Sequence, residues 1–200
     1  MDITVFHNQI ETARLKLRKL SMNDARDMFE YTSNPDITRH LHWYPHTDIS
    51  QTKVFLKKVL DQYKKSTTEF TYGLELKAEG KLIGALKINN ICFHNKRGEF
   101  TSILNPAYQG KGYMGEAWQG LLDFCFNKAG LHRIQSYVTP DNIPSQKKND
   151  KAGLTYEGRL KDYWIMKGVH KDALVYAITA DAFNNRKKSP SAKKDRKCQK

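Results

Sequence analysis

The sequence is poor in cysteine. It has three, Cys92, Cys125 and Cys198, widely spaced and with no Cys-x-x-Cys pair. That pattern argues against a disulfide framework and against a structural zinc site. A reducing, cytoplasmic setting is the simplest expectation. No run of about 18 apolar residues occurs, so no membrane-spanning helix is expected. The first residues carry neither a basic stretch nor a long apolar one, which argues against a secretory signal. The seven histidines show no metal-ligand spacing, and there is no internal repeat.

What is present suits one folded unit. Two hundred residues, 39% hydrophobic and 11% aromatic, supply enough apolar material for a core. The formal net charge is +13, with 34 basic and 21 acidic residues. Eight of the basic residues and one acidic residue lie from Asn184 onward, about half the excess. The reading therefore places a domain at residues 1–183 and a basic, disordered tail at residues 184–200. Such a tail is usually just solvated, but it would also suit RNA, an acidic protein or anionic lipid.

Residues 13–20 alternate apolar and basic side chains, the period of a strand. Ser21 opens a helix through Met28 and Tyr31, which Asn34 and Pro35 stop. Asp48 or Ser50 caps a second helix with Val54, Phe55, Val59, Leu60 and Tyr63 as its apolar stripe. Three strands then form an antiparallel meander: residues 70–76, 81–88 and 99–104. Turns fall at residues 78–81, 89–90 and 95–98. A helix follows from Tyr113 to Ala129 with Gly130 as its stop, then a strand at residues 134–138. A short helix at residues 142–151 ends at Gly153, and strands follow at residues 155–164 and 173–178. This mixed order predicts an α+β sheet with helices packed on it, not a doubly wound parallel sheet.

The chemistry-bearing stretch is Gln109, Gly110, Lys111, Gly112, Tyr113, Met114 and Gly115. Its glycines match the dinucleotide fingerprint, but residues 105–109 separate it from the preceding strand. A nucleotide P-loop would need Lys and then Ser or Thr where Glu116 and Ala117 stand. Two readings remain from the residues alone. One is a plain turn that glycine permits. The other is a turn whose backbone N–H groups, with the start of a helix and Lys111, converge on an anion.

Taken in order, residues 104–117, 131–134 and 140–145 carry a resemblance, joined by 151–154 and 156–159. Residues 12–18 and 43–46 match its opening segments. The chain resembles the GNAT (GCN5-related N-acetyltransferase) superfamily over roughly residues 10–180. Within it, the chain looks like the ribosomal-protein N-terminal (RimJ/RimL-like) branch. The resemblance implies a mixed, mostly antiparallel twisted sheet of six or seven strands, with helices on both faces and a splayed coenzyme A cleft. It implies acetyl-CoA as co-substrate and no metal. Residues 109–115 would hold the pyrophosphate, and Ile103 and Leu104 would pair with the pantetheine arm. Asn142 would contact the cofactor, and Ser145 would protonate the departing thiolate. Glu99 would be the base, and Trp43 and Tyr44 would line the acceptor side.

Each role has a plainer counterpart: an exposed strand residue for Glu99, a helix start for Ser145, packing for the two aromatics. The chain departs from the family at Met114 and Gly115, at Lys148 and Asn149 (commonly an apolar pair), and at Leu154 (frequently Phe). The expected acceptor is the N-terminal α-amine of a protein such as a ribosomal protein, attacked directly in a ternary complex. Alternatives are a small amine (a polyamine, an amino acid or an antibiotic) or acetyl-CoA binding without turnover. The protein would be a monomer or homodimer without membrane contact, and the tail would reach RNA or the ribosome.

Overall fold

A computed structural model describes residues 2–188. Eight strands form one sheet: β1 (Ile10–Glu11), β2 (Leu15–Arg18), β3 (Phe70–Leu76), β4 (Lys81–Cys92), β5 (Arg97–Leu104), β6 (Arg133–Val138), β7 (Thr155–Met166) and β8 (Val169–Thr179). Their spatial order is β1-β2-β3-β4-β5-β6-β8-β7. All neighbours are antiparallel except β5 and β6. The α+β expectation and the mostly antiparallel sheet hold. The strand count is one higher than expected, because β1 is a two-residue edge strand too short to show any alternation.

Helices cover both faces. On one side α1 (Ala25–Thr32), the one-turn α2 (Pro35–Thr38) and α3 (Ile49–Lys65) enclose a small core of Leu20, Met28, Tyr31, Leu56, Val59 and Leu82. On the other side α4 (Tyr113–Asn127), α5 (Ile143–Ala152) and α6 (Ala180–Lys188) accompany the larger core, with Trp118, Leu121 and Leu122 against Leu17, Tyr72, Leu86 and Phe100. Residue i and residue i+1 of a strand face opposite sides, so β5 sends Phe100 to the α4 side and Ile103 to the α1–α3 side.

Several local expectations change. Asp48, not Ser50, caps α3, its carboxylate accepting from the Ser50 N–H at 2.7 Å. The buried stripe of α3 is Thr52, Leu56 and Val59, while Val54 and Phe55 are exposed. The phase is turned because Thr52 hydrogen-bonds Thr32 of α1 at 3.2 Å, a contact no local pattern encodes. Asn89 and Asn90 make no turn: β4 continues to Cys92 through a register shift, with Asn90 at φ 50°. Residues 184–188, expected in the tail, are helical in α6, and the rest of the tail lies outside the described residues. No helix among the described residues is long and apolar enough to cross a membrane.

Candidate active site

The sheet splits between its two parallel strands. β5 and β6 pair only over Arg97–Arg133, Gly98–Ile134 and Glu99–Gln135. Beyond that point β5 keeps its partner on β4 as far as Leu104, and β6 keeps β8 as far as Val138. Their facing edges diverge, so residues 100–104 and 136–138 offer backbone groups without a sheet neighbour on that side. A cleft of ≈ 390 Å³ opens there, and Glu99, Ser102, Tyr137, Asn142, Ser145 and Lys148 are among the residues lining it.

The glycine turn follows β5 and leads into α4, and its residues 109–115 are not among those lining the cleft. Gly110 and Gly112 have φ of 75° and 81°, the left-handed region that a Cβ disfavours. Gly112 is the N-cap of α4, and no side chain caps that helix. Asp48, Asn105 and Asn142 each cap their helix with a side chain. The first intrahelical bond runs from the Glu116 N–H to the Gly112 carbonyl, so the amides of Tyr113, Met114 and Gly115 precede it. Uncapped amides and the positive helix end fit an anion.

Two cations attend the turn. Lys111 Nζ stands 5.2 Å from the Tyr108 ring centre. Arg14, which sequence reasoning did not single out, donates to the Lys111 carbonyl at 3.0 Å and stacks 4.4 Å over Tyr113. Glu116 anchors that arginine: its carboxylate meets Arg14 Nε at 2.6 Å and accepts from Thr12 Oγ1 at 2.6 Å. Burial raises the pKa of Glu116, but the hydrogen bonds from Thr12 and Arg14 outweigh it and hold the group below its ordinary value. The residue that ruled out a nucleotide P-loop therefore ties the β1–β2 turn to the start of α4.

On the α1–α3 face of the split, three side-chain amides hold Glu99. Asn90 Nδ2 donates at 2.8 Å, Asn89 Nδ2 at 3.3 Å and Gln135 Nε2 at 3.1 Å. Gln135 also donates to the Tyr137 hydroxyl at 2.9 Å. Burial raises the Tyr137 pKa, and the charge on Glu99 adds to that. Tyr137 stacks on Tyr163 with ring centres 5.4 Å apart, and Trp164 packs edge-on to both. His40, Leu41 and His42 complete this side. Burial lowers the His40 pKa, despite Asp141 nearby, which favours the neutral ring.

On the α4–α5 face, Asn142 caps α5, its side-chain oxygen accepting from the Ser145 N–H at 3.2 Å. Ser145 follows Pro144 in the first turn and lines the cleft. Lys148 lies one turn further. Its Nζ donates to Ser102 Oγ at 2.9 Å and sits 4.4 Å over the Trp118 ring.

The structure thus brings Glu99, Asn142 and Ser145 into one cleft. Ile103 and Leu104 lie in the diverging part of β5, where Ile103 packs on the α1–α3 core and the Leu104 carbonyl accepts from Gln109 Nε2 at 3.2 Å. Trp43 and Tyr44 do not line the cleft. Trp43 packs on His46 with ring centres 5.1 Å apart, and exposed Tyr44 lies under Lys167. The irregular segment after α2 turns His40 to His42 inward instead. Sequence reasoning missed those residues, together with Gln135, Tyr137, Tyr163 and Trp164, because their alignment depends on pairing between distant strands. Lys148 did leave a signal, as a lysine at a commonly apolar position. No group of three or more His, Cys, Asp or Glu residues among the described residues could hold a metal ion.

A sheet split between two parallel strands, followed by an uncapped helix start, offers two open backbone edges and a place for an anion, the features of a transferase that binds an anionic co-substrate. The chain belongs to the GNAT family: the acetyltransferase (GNAT) domain profile matches residues 14–155. It is 32% identical to the uncharacterized N-acetyltransferase p20 of Bacillus licheniformis, over 84% of this chain and 93% of that protein. A GNAT-family acetyltransferase structure from Bacillus anthracis superposes with a TM-score of 0.77 at 28% identity, covering 87% of this chain and 99% of the other. More distant relatives bear two kinds of name. One is the spermidine N(1)-acetyltransferase of Vibrio cholerae, 24% identical over 87% of this chain and 98% of the relative. The other is the [ribosomal protein uS5]-alanine N-acetyltransferase of Escherichia coli, 26% identical over 86% and 90%. The protein is an acetyl-CoA-dependent N-acetyltransferase.

Proposed function

We propose that the acceptor is a single primary amine, the N-terminal α-amine of a protein such as a ribosomal protein. The charge of the cleft wall carries this reading. Glu99 is its one carboxylate; its cations are Lys87, paired with Glu69 at 2.5 Å, and Lys148. One anion suits one ammonium, Lys87 is neutralised by Glu69, and a polycation would face the unpaired charge of Lys148 as well. An α-amine has a pKa of about 7.7–8.0, against about 10.4 for lysine, so it loses its proton with little help.

In this reading the amides of residues 110–115, with Lys111 and Arg14, hold the coenzyme's pyrophosphate. The open edge of β5 at Ile103 and Leu104 takes the pantetheine arm, with Asn142 beside it. Acetyl-CoA supplies the activated acetyl thioester. Glu99 takes the proton of the acceptor amine, directly or through water, with Asn89, Asn90 and Gln135 fixing its position. Ser145 hydrogen-bonds the sulfur side. Holding both reactants in the split supplies proximity.

The spermidine relatives support a second reading, a polyamine acceptor. A turnover screen separates the two. Thiol release is measured with N-terminal peptides, spermidine and other small amines. Highest kcat/KM on peptides supports the α-amine reading, and highest kcat/KM on spermidine overturns it. Coenzyme binding without turnover on any amine would mark a binding module. The basic residues from 184 onward would add contact with RNA near such an N-terminus, read as a steeper salt dependence in the full chain than in a chain cut at residue 188.

A further inference from the structure

Lys148 has no place in the roles above. It follows Ser145 by three positions on α5, so both project from the same helix face into the cleft. Its amine crosses to the diverging part of β5, where it meets Ser102 Oγ at 2.9 Å. Trp118 lies 4.4 Å beneath it, itself packed edge-on against Phe100 at 5.2 Å. No carboxylate among the described residues pairs with this lysine. Glu99 stands on the opposite face of β5, and its oxygens are taken by three amides.

Lys148 is half-buried, and a cation without a counter-ion in such a site costs stability. Burial pushes the Lys148 pKa down to about 8. Its neighbour Asn149 is fully buried, and neither amide atom finds a partner. An apolar pair would serve packing better at both positions. Local rules broken without structural compensation concentrate at functional sites.

We propose that Lys148 meets the negative charge on the departing sulfur of coenzyme A and protonates it, an inference that rests on the pantetheine arm lying in the split. As the acceptor nitrogen bonds to the acetyl carbon, the carbon–sulfur bond breaks and the sulfur keeps the electron pair. Lys148 Nζ gives one proton to that sulfur, forming the free thiol. The proton shed by the acceptor nitrogen leaves on the Glu99 side, and solvent restores the proton to Lys148. A thiol has an ordinary pKa of about 8.5, so an ammonium near 8 is matched to it, whereas a serine hydroxyl is a far weaker acid. Ser145 then positions, and Lys148 donates.

The test compares binding of acetyl-CoA, coenzyme A and desulfo-coenzyme A to the full chain and to the Lys148→Met and Lys148→Arg variants by calorimetry. Ultraviolet absorbance of the thiolate is read on the coenzyme A complexes. The parent chain should bind coenzyme A on the order of tenfold more tightly than the desulfo form, as expected for a charge-assisted contact. Its complex should show no more thiolate absorbance than free coenzyme A in the same buffer, because the sulfur ends as the thiol. Lys148→Met should bring that ratio to about one while acetyl-CoA affinity holds within about twofold. Lys148→Arg keeps the cation but cannot release a proton, so its coenzyme A complex should show more thiolate absorbance than the parent's. A ratio that Lys148→Met leaves unchanged overturns the proposal. If the parent chain binds none of the three, the coenzyme assignment fails first and takes this proposal with it.

Discussion

Glu99 and Gln135 form the last register at which β5 and β6 pair, and their side chains also meet, Gln135 Nε2 donating to Glu99 Oε1 at 3.1 Å. The carboxylate therefore stands at the apex of the split, held on its backbone and on its side chain. Placed there, it faces whatever enters from the α1–α3 side.

Glu99→Gln should lower kcat/KM for the amine by about 10²-fold or more while leaving acetyl-CoA affinity unchanged. The acidic limb of the pH–rate profile that this carboxylate sets should also disappear. A profile of unchanged shape would clear Glu99 of the base role and leave it as a strand residue tied by amides.

The glycines of the turn should not be equivalent. Gly112 sits at φ 81°, with Arg14 Nη2 3.4 Å from a Cβ built there. Gly115 has open space around such a Cβ and no positive φ. Gly112→Val should weaken acetyl-CoA binding about tenfold or more, whereas Gly115→Ala should stay within about twofold. Calorimetry on both decides it. Equal effects, or none, would remove the turn from the phosphate site.

Asn142 and Ser145 should separate by readout. Asn142→Ala removes the α5 cap and should cost about 1 kcal/mol of stability in chemical denaturation. Ser145→Ala keeps that cap, since Asn142 accepts from the Ser145 backbone N–H. It should lower kcat with little change in melting temperature. A stability loss without a rate change would make Ser145 a helix-start residue only.

Lys148 should reveal itself in the pH dependence of stability. Its folded pKa, about 8, lies below the ordinary value of 10.5. Between those values the unfolded chain binds more protons at this site, so the site's contribution to stability rises with pH across that window and is least below it. Lys148→Met should abolish this rise and should stabilise the protein near neutral pH by about 1–2 kcal/mol. Urea denaturation at about pH 7 and about pH 10 measures both. A variant less stable than its parent near neutrality would show that the lysine's stem and its bond to Ser102 outweigh its burial cost.

The elements whose signals are local were legible beforehand. Alternation marked β2, turn residues marked the meander, Gly153 ended α5, and the clustered glycines with the helix after them marked the turn. The register of the sheet was not legible, because pairing joins residues far apart in sequence and one face looks much like another until strands meet. That is why Trp43 and Tyr44 were expected on the acceptor side while His40 and His42 were not singled out. It is also why the stripe of α3 was placed one step out of phase, at Val54 and Phe55 rather than Thr52 and Leu56.

The amino-acid order alone determined that residues 109–115 form a turn before a helix, because only glycine takes those φ angles without strain. It likewise determined that an apolar stripe on α4 must be buried. Tertiary structure decided that β5 and β6 part after Glu99, that Arg14 of the β1–β2 turn, 102 residues from Glu116, braces the glycine turn through that carboxylate, and that Lys148 crosses the split to Ser102. Those outcomes depend on packing two helical layers against one sheet. The gain from that burial is shared among all the elements, and no single segment encodes it.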